Sequence, residues 1–227
     1  MRLQYVVVEF ETPFRVGRYS LMDTLDYVPS DTIYSAMEWL RHAGVTGLPA
    51  RVSSAYPLFA NDSLPLPIPA LWKMALMGVK DVKNVKAEGE VDRKTLKELQ
   101  YVPLECVKRG ELTVRQREAG PPRGSARREL VLSCGGFEAA VTPGFHGEYV
   151  VRAHNRISRN TSMADTFRVA AFSPRVPYVI YFEGGDAAAF EVLGELGLGG
   201  KRSLGMGRFK VVGRGEAIAP LQLPDLH

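Results

Sequence analysis

The run Leu196-Gly-Leu-Gly-Gly-Lys-Arg-Ser-Leu-Gly-Met-Gly-Arg-Phe-Lys-Val211 carries five glycines and four basic side chains in sixteen residues. Upstream of it, Ala187 to Leu196 places Phe190, Leu193 and Leu196 at helical spacing, with Gly197 suited to stop that helix. Downstream, Phe209 to Val212 has the aromatic and β-branched composition of a strand. The order helix, glycine loop, strand is the reverse of the two best-known phosphate-binding glycine motifs, which run strand, loop, helix. The residues exclude both as well. A Walker loop needs a glycine where Glu195 stands and a Ser or Thr where Arg202 follows Lys201, and the dinucleotide fingerprint needs a third glycine at Arg202. What remains is a loop whose missing Cβ atoms let backbone N–H groups approach an anion, with Lys201, Arg202, Arg208 and Lys210 beside them. The competing reading is a helix-to-strand turn with solvated charges.

At 227 residues with 45% apolar content, the chain can bury the core of one large or two small domains. Its net charge is +4, and the basic residues cluster rather than spread, which favours a nucleic-acid partner. Cys106 and Cys134 lack a CxxC spacing, and with four scattered histidines no metal-ligand set is visible, so buried thiols and no metal or cofactor are expected. No apolar run approaches the ~20 residues needed to span a bilayer, and no basic-then-apolar leader opens the sequence, so a cytosolic protein with no membrane contact is expected.

Taken in order, Leu3 to Phe10 reads as a central strand covered on both faces. Ile33 to Ala43 reads as a helix entered through Pro29-Ser-Asp-Thr32, whose side chains are suited to cap it, and stopped by Gly44. Recurrent prolines from Pro49 to Leu71 predict an extended surface segment, and Lys73 to Lys97 is partly helical, its lysines readable as a solvated face. Leu112 to Val114 and Glu129 to Leu132 predict two strands around a basic tip, Arg115 to Arg128; a disordered excursion is the other reading of that segment. Strands follow at Glu148 to Ile157, Phe167 to Phe172 and Val176 to Phe182. The class is therefore α+β with antiparallel sheets of ferredoxin-like, RNA-recognition-motif-like type and a C-terminal glycine-rich loop. Two lobes are expected: residues 1–148, carrying insertions that include the basic hairpin at about 108–132, and residues 149–227. A single lobe split by a long insertion is the alternative.

Three segments together resemble the repeat-associated mysterious proteins of CRISPR–Cas systems: Gly199-Gly-Lys-Arg-Ser-Leu-Gly-Met-Gly-Arg-Phe209, His154-Asn-Arg-Ile-Ser-Arg159 and Tyr27-Val-Pro-Ser-Asp-Thr-Ile-Tyr-Ser-Ala36. The proline-rich Ala55 to Lys73 segment resembles the same family, while the middle of the chain does not align by motif. The closest resemblance is to the type III-A (Csm) subunit that caps the 5′ end of the guide RNA; Ser158 and Ser162 stand where that family has Asp and Gly. The resemblance implies a non-catalytic subunit that binds the 5′ handle of crRNA. Its implied partners are the large polymerase-like subunit, the backbone subunits and, indirectly, target RNA. The implied RNA-binding residues are His154, Asn155, Arg156, Arg159, Gly199, Gly200, Lys201, Arg202, Ser203, Gly205, Gly207 and Arg208, with Arg123, Arg127 and Arg128 on the hairpin.

Independently of the resemblance, Arg152, Arg156, Arg159 and Arg168 interleave with His154 and Asn155, a mixture suited to phosphates and unpaired bases; capping of a strand end is the plainer role for His154 and Asn155. The rival function is endoribonuclease. Guide-RNA processing would draw its acid and base from His42, His146, His154, Tyr34 and Lys201, and target-RNA cleavage would use loop carboxylates such as Asp23 or Asp26, whose ordinary role is turn formation. A third possibility is a protein-binding scaffold presenting Leu64 to Leu71.

Overall fold

A computed structural model describes residues 2–17, 20–119, 127–141, 146–157 and 164–218. The chain begins with β1 (Arg2–Phe10), α1 (Ser30–His42) and β2 (Arg51–Pro57). It continues through β3 (Pro65–Pro67), α2 (Ala70–Leu76), β4 (Val85–Glu88), α3 (Arg93–Glu98), β5 (Tyr101–Pro103), α4 (Leu104–Arg109), β6 (Leu112–Ala119), β7 (Arg127–Cys134) and β8 (Phe137–Val141). The last third holds β9 (Gly147–Ile157), β10 (Ala164–Pro174), β11 (Tyr178–Glu183), α5 (Ala188–Leu196) and β12 (Phe209–Ile218).

Two compact units result. One comprises residues 3–55 together with 146–216; the other is built chiefly from residues 56–145. The consecutive lobes expected at 1–148 and 149–227 are thus replaced by the alternative, one lobe split by an insertion. The reason is strand pairing. In the split lobe, β1-α1-β2 and β11-α5-β12 contribute to one four-stranded sheet in the order β12-β1-β11-β2, the 4-1-3-2 arrangement of a ferredoxin-like βαββαβ fold. Neither half closes a sheet alone, because β1 takes β11 as its antiparallel neighbour, Val6 opposite Ile180. β2 is therefore an edge strand of this sheet rather than a surface wrap, and Pro57 ends it where the missing N–H does least harm.

Alternation along β1 buries Val6 and Val8, and β11 buries Ile180 and Phe182, all within the core cluster that also holds Ile33, Met37 and Leu40 of α1 and Phe190 and Leu193 of α5. These apolar positions recur at three- and four-residue spacing, and each fully buried large side chain contributes about 1.5–3 kcal/mol. The sequence expectation for α1 needs two amendments. It starts three residues earlier, at Ser30, and Pro29 at its N-cap provides no side-chain cap hydrogen bond. Gly44 does end it, at φ 87°, donating to the Arg41 carbonyl at 3.0 Å.

The inserted unit carries the sheet β4-β6-β7-β8, with β4 parallel to β6 and the other pairs antiparallel. Its core contains Trp72, Leu76, Leu96, Val107, Leu112, Val114, Leu130 and Leu132. The expected strands of the basic hairpin are thus real and longer than anticipated, so Arg115 and Arg117 lie on β6 and not at the tip. Their partners are Glu88 at 2.9 Å and Glu129 at 2.6 Å. The expectation of buried thiols is corrected: Cys106 and Cys134 are buried but joined in a disulfide, their Cα atoms 5.4 Å apart, because α4 and β7 bring two distant positions face to face. Among the described residues no helix is long and apolar enough to cross a membrane, and no group of three His, Cys, Asp or Glu gathers as a metal site.

Candidate nucleic-acid interface

The glycine loop is held by the segment after β1, residue by residue. Pro13 O accepts from Gly207 N at 3.0 Å, Arg15 O accepts from Gly200 N at 2.7 Å, and Thr12 Oγ1 accepts from Arg208 N at 2.9 Å. Across the loop itself, Leu198 N donates to Gly207 O at 2.9 Å. The same segment reaches the β9–β10 hairpin, because Phe14 and Phe172 exchange two backbone hydrogen bonds at 2.9 and 2.8 Å. One short strap thus fixes the loop and hairpin within the split lobe.

Two glycines serve this clamp rather than a ligand. A Cβ on Gly199 would lie 2.4 Å from the Arg15 carbonyl oxygen, and one on Gly207 would lie 2.0 Å from that of Leu198; both have positive φ, 88° and 77°. Gly205, at φ 75°, faces open space, and Gly200 carries the amide bonded to Arg15. Lys201 itself sits in the left-handed region at φ 63°, leading into the 3-10 turn Arg202–Leu204, which presents Arg202 and Ser203 to solvent.

The hairpin meets the loop through one of its faces. Register pairs His154 with Phe167 and Arg152 with Val169, so these four project from the same face, and Val169, Ala171 and loop residue Met206 share an apolar cluster with Phe167 and Val150 packed against it. The His154 ring stacks on Phe167 with centroids 5.6 Å apart, and Lys201 Nζ lies 5.4 Å from the Phe167 centroid. Two segments that sequence reading singled out separately, the glycine loop and the His154 stretch, are therefore joined through an aromatic residue it did not single out. Phe167 was legible only as a strand residue, because its role depends on the register between β9 and β10. Asn155 and Arg168 lie on the hairpin's opposite face, where Asn155 Oδ1 accepts from Thr166 Oγ1 at 2.9 Å.

Electrostatics sorts the basic side chains. Arg208 is paired with Glu195 and Lys210 with Glu11. Among the described residues no carboxylate partner is found for Arg152, Lys201 or Arg202; the Arg202 guanidinium lies 5.9 Å from the Trp39 ring centroid. Among the described residues, Arg15 Nε and His154 Nε2 near the loop are buried without a hydrogen-bond partner, although Arg15 Nη2 donates to Ser20 O at 2.6 Å. A buried polar atom left without a partner costs about 1–3 kcal/mol, so an acceptor at Arg15 Nε, or a polar partner at His154 Nε2, would be stabilising. Arg159 and Arg123, and the side chains of Arg156, Arg127 and Arg128, lie outside the described residues.

The residues weighed for catalysis are dispersed or engaged. His146 Nε2 is 3.1 Å from Asp26 Oδ2, while Tyr178 donates to the Asp26 carbonyl at 2.9 Å, tying that aspartate to the aromatic core. The His146 hydrogen bond is the leading cause that holds the Asp26 carboxyl below its ordinary 3.8. A lowered folded-state value means stability that is fully present above the unfolded value and lost as pH falls through the folded one. Asp26→Asn is accordingly expected to lower the melting temperature at neutral pH, and the gap from the parent protein should narrow in melts run progressively below pH 3.8. A gap that persists undiminished at acid pH would contradict this role. His42 is exposed in the last turn of α1, and Tyr34 is exposed in the same helix.

Comparison with known proteins finds likeness among solved structures. No family model and no curated protein matches the chain. A chain of a solved structure described as "Cryo-EM structure of the Type III-B Cmr-beta bound to cognate target RNA" is similar over 96% of this chain and 61% of its own, at 11% identity and a TM-score of 0.43. The present chain thus spans about three-fifths of that chain's length.

Proposed function

We propose that the protein is a non-catalytic RNA-binding subunit of a type III-A CRISPR interference complex, holding the 5′ handle of crRNA and bridging the large polymerase-like subunit to the backbone subunits. The observation that carries this reading is the junction of the glycine loop with the His154 hairpin across Phe167. It brings Lys201 beside an aromatic pair, with Arg152 on the same hairpin face and Arg202 next along the loop, cations with no carboxylate partner among the described residues. Single-stranded RNA is bound by this combination, charge for the backbone and π-faces for unpaired bases, whereas a duplex is read by shape. The proposed contacts are His154, Arg156 and Arg159 with Gly200, Lys201, Arg202, Ser203 and Gly205 of the loop, while Asn155 on the hairpin's opposite face, the clamp glycines Gly199 and Gly207, and Arg208 paired with Glu195 contribute indirectly; the hairpin residues Arg123, Arg127 and Arg128 reach toward the guide and a neighbouring subunit.

The non-catalytic assignment draws support from Asp26 and His146 being committed to each other. Incubated with guide-repeat RNA, the purified protein is expected to bind and leave the RNA intact, with or without divalent metal. Neutralising Arg123, Arg127 and Arg128 together should leave binding of a handle oligonucleotide nearly unchanged but impair assembly on full-length guide RNA. Specific cleavage abolished by His42→Ala or His154→Ala, or target cleavage in a reconstituted complex abolished by Asp23→Ala, would instead make the protein an endoribonuclease.

A further inference from the structure

Trp39 belongs to α1, outside the glycine loop, the strap after β1 and the β9–β10 hairpin. It projects from α1 with 51% of its surface exposed, whereas the chain's second tryptophan, Trp72, is 2% exposed in the core of the inserted unit. α1 has no need of an exposed indole: its core face is already supplied by Ile33, Ala36, Met37 and Leu40. On a helix whose buried stripe is complete, the half-exposed indole leaves ring surface available to a ligand. The side chain that approaches it comes from the glycine loop, since Arg202 places its guanidinium carbon 5.9 Å from the indole centroid. Arg202 has no carboxylate partner among the described residues, so its charge is available to an anion while its plane stays near the ring. The neighbouring loop residue, Lys201, repeats the arrangement over Phe167 at 5.4 Å. Consecutive cations of one loop thus lie over separate aromatic rings, one on α1 and one on β10.

We infer that Trp39 is a stacking platform for an unpaired base of single-stranded RNA, with Arg202 contacting the phosphate beside that base. The inference rests on the reading of the glycine loop as an RNA site and extends that site onto α1. Charge complementarity selects this occupant over an apolar protein segment: a base brings both a π-face for the indole and a phosphate for the guanidinium, and the planar fork of arginine suits that phosphate. In the free protein the cation–π contact holds both side chains near the positions they occupy in the complex, which reduces the ordering cost of binding.

The two tryptophans make the test direct, because only Trp39 is exposed enough to report contact with a ligand. Intrinsic fluorescence is followed as short oligoadenylate and oligouridylate are titrated into the full chain, using the parent protein and the Trp39→Phe, Trp39→Ala and Arg202→Ala variants, with thermal melts to confirm folding. Binding is expected to quench the parent protein strongly, and quenching should vanish in Trp39→Phe, where Trp72 alone emits. Trp39→Ala should raise Kd by about fivefold to a hundredfold, as removal of one base–aromatic stack does, with the salt dependence unchanged. Trp39→Phe should recover much of that affinity, and Arg202→Ala should lower the slope of log affinity against log salt by about 0.7. If the parent protein binds the oligonucleotides but Trp39→Ala binds equally well and no quenching occurs, the platform is refuted while the RNA site stands. If the parent protein binds no single strand at all, the site reading itself falls and the platform with it.

Discussion

Gly207→Ala is expected to dismantle the glycine loop although it adds a single methyl group. The residue adopts φ 77°, and the new Cβ would sit 2.0 Å from the Leu198 carbonyl oxygen and 2.9 Å from both the carbonyl carbon and the amide nitrogen of Leu198. All three are backbone atoms, so no side chain can rotate away. Relief requires moving the turn, which breaks the Leu198 N to Gly207 O and Gly207 N to Pro13 O bonds on either side. Backbone strain and the broken bonds together should cost roughly 3 kcal/mol or more, with Gly199→Val behaving similarly through the Arg15 carbonyl 2.4 Å away. Gly205→Ala is the internal control: its φ of 75° is as unfavourable, but nothing lies within 4 Å, so the cost should be only about 1–2 kcal/mol. Chemical denaturation of the three variants checks the ranking. Equal destabilisation by Gly205→Ala and Gly207→Ala would mean that φ alone, and not the clamp against Leu198, governs the loop.

The second large effect is on RNA affinity. Each phosphate that a cation no longer neutralises lowers the salt dependence of single-strand binding by about 0.7. Replacing Arg152, Lys201 and Arg202 together by Ala should therefore reduce that slope by about two units and cut affinity at physiological salt by roughly fiftyfold. These three are distinguished from the other basic residues by surroundings and not by type. Arg208 and Lys210 occupy the same glycine-rich run but are paired with Glu195 and Glu11, and Arg168 leaves the hairpin on the face opposite His154. Arg208→Ala and Arg168→Ala are therefore expected to change the salt slope by well under half a unit. Exposed ion pairs are weak, about 0–1 kcal/mol, so the contrast is graded rather than absolute, and binding measured across a salt series resolves it. Should Arg208→Ala reduce the slope as much as Lys201→Ala does, the loop engages RNA from its Glu195 side and the His154 hairpin has been given the wrong role.

Local pattern made much of this protein legible in its sequence. Alternating and near-continuous β-branched runs marked β1, β9, β10 and β11, and three- and four-residue spacing marked α1 and α5, because these periods follow from backbone geometry within a few residues. The helix, glycine loop, strand order of 188–218 was equally local, and Gly44 and Gly197 ended their helices with positive φ as glycine allows. Only the tertiary structure decided what those elements build. That β1 pairs with β11 rather than with a strand near it joins residues at least 170 positions apart, and this turned two expected lobes into one split lobe with an insertion. Pairing at such distance depends on which sheet buries both helices, a property of the whole chain that no window of sequence contains. The same holds for Cys106 with Cys134, for His154 above Phe167, and for the carboxylates that engage Arg208 and Lys210 but leave Lys201 and Arg202 to aromatic rings. Charge can be counted along a chain, but whether a cation is free to meet a phosphate is set by its neighbours in space.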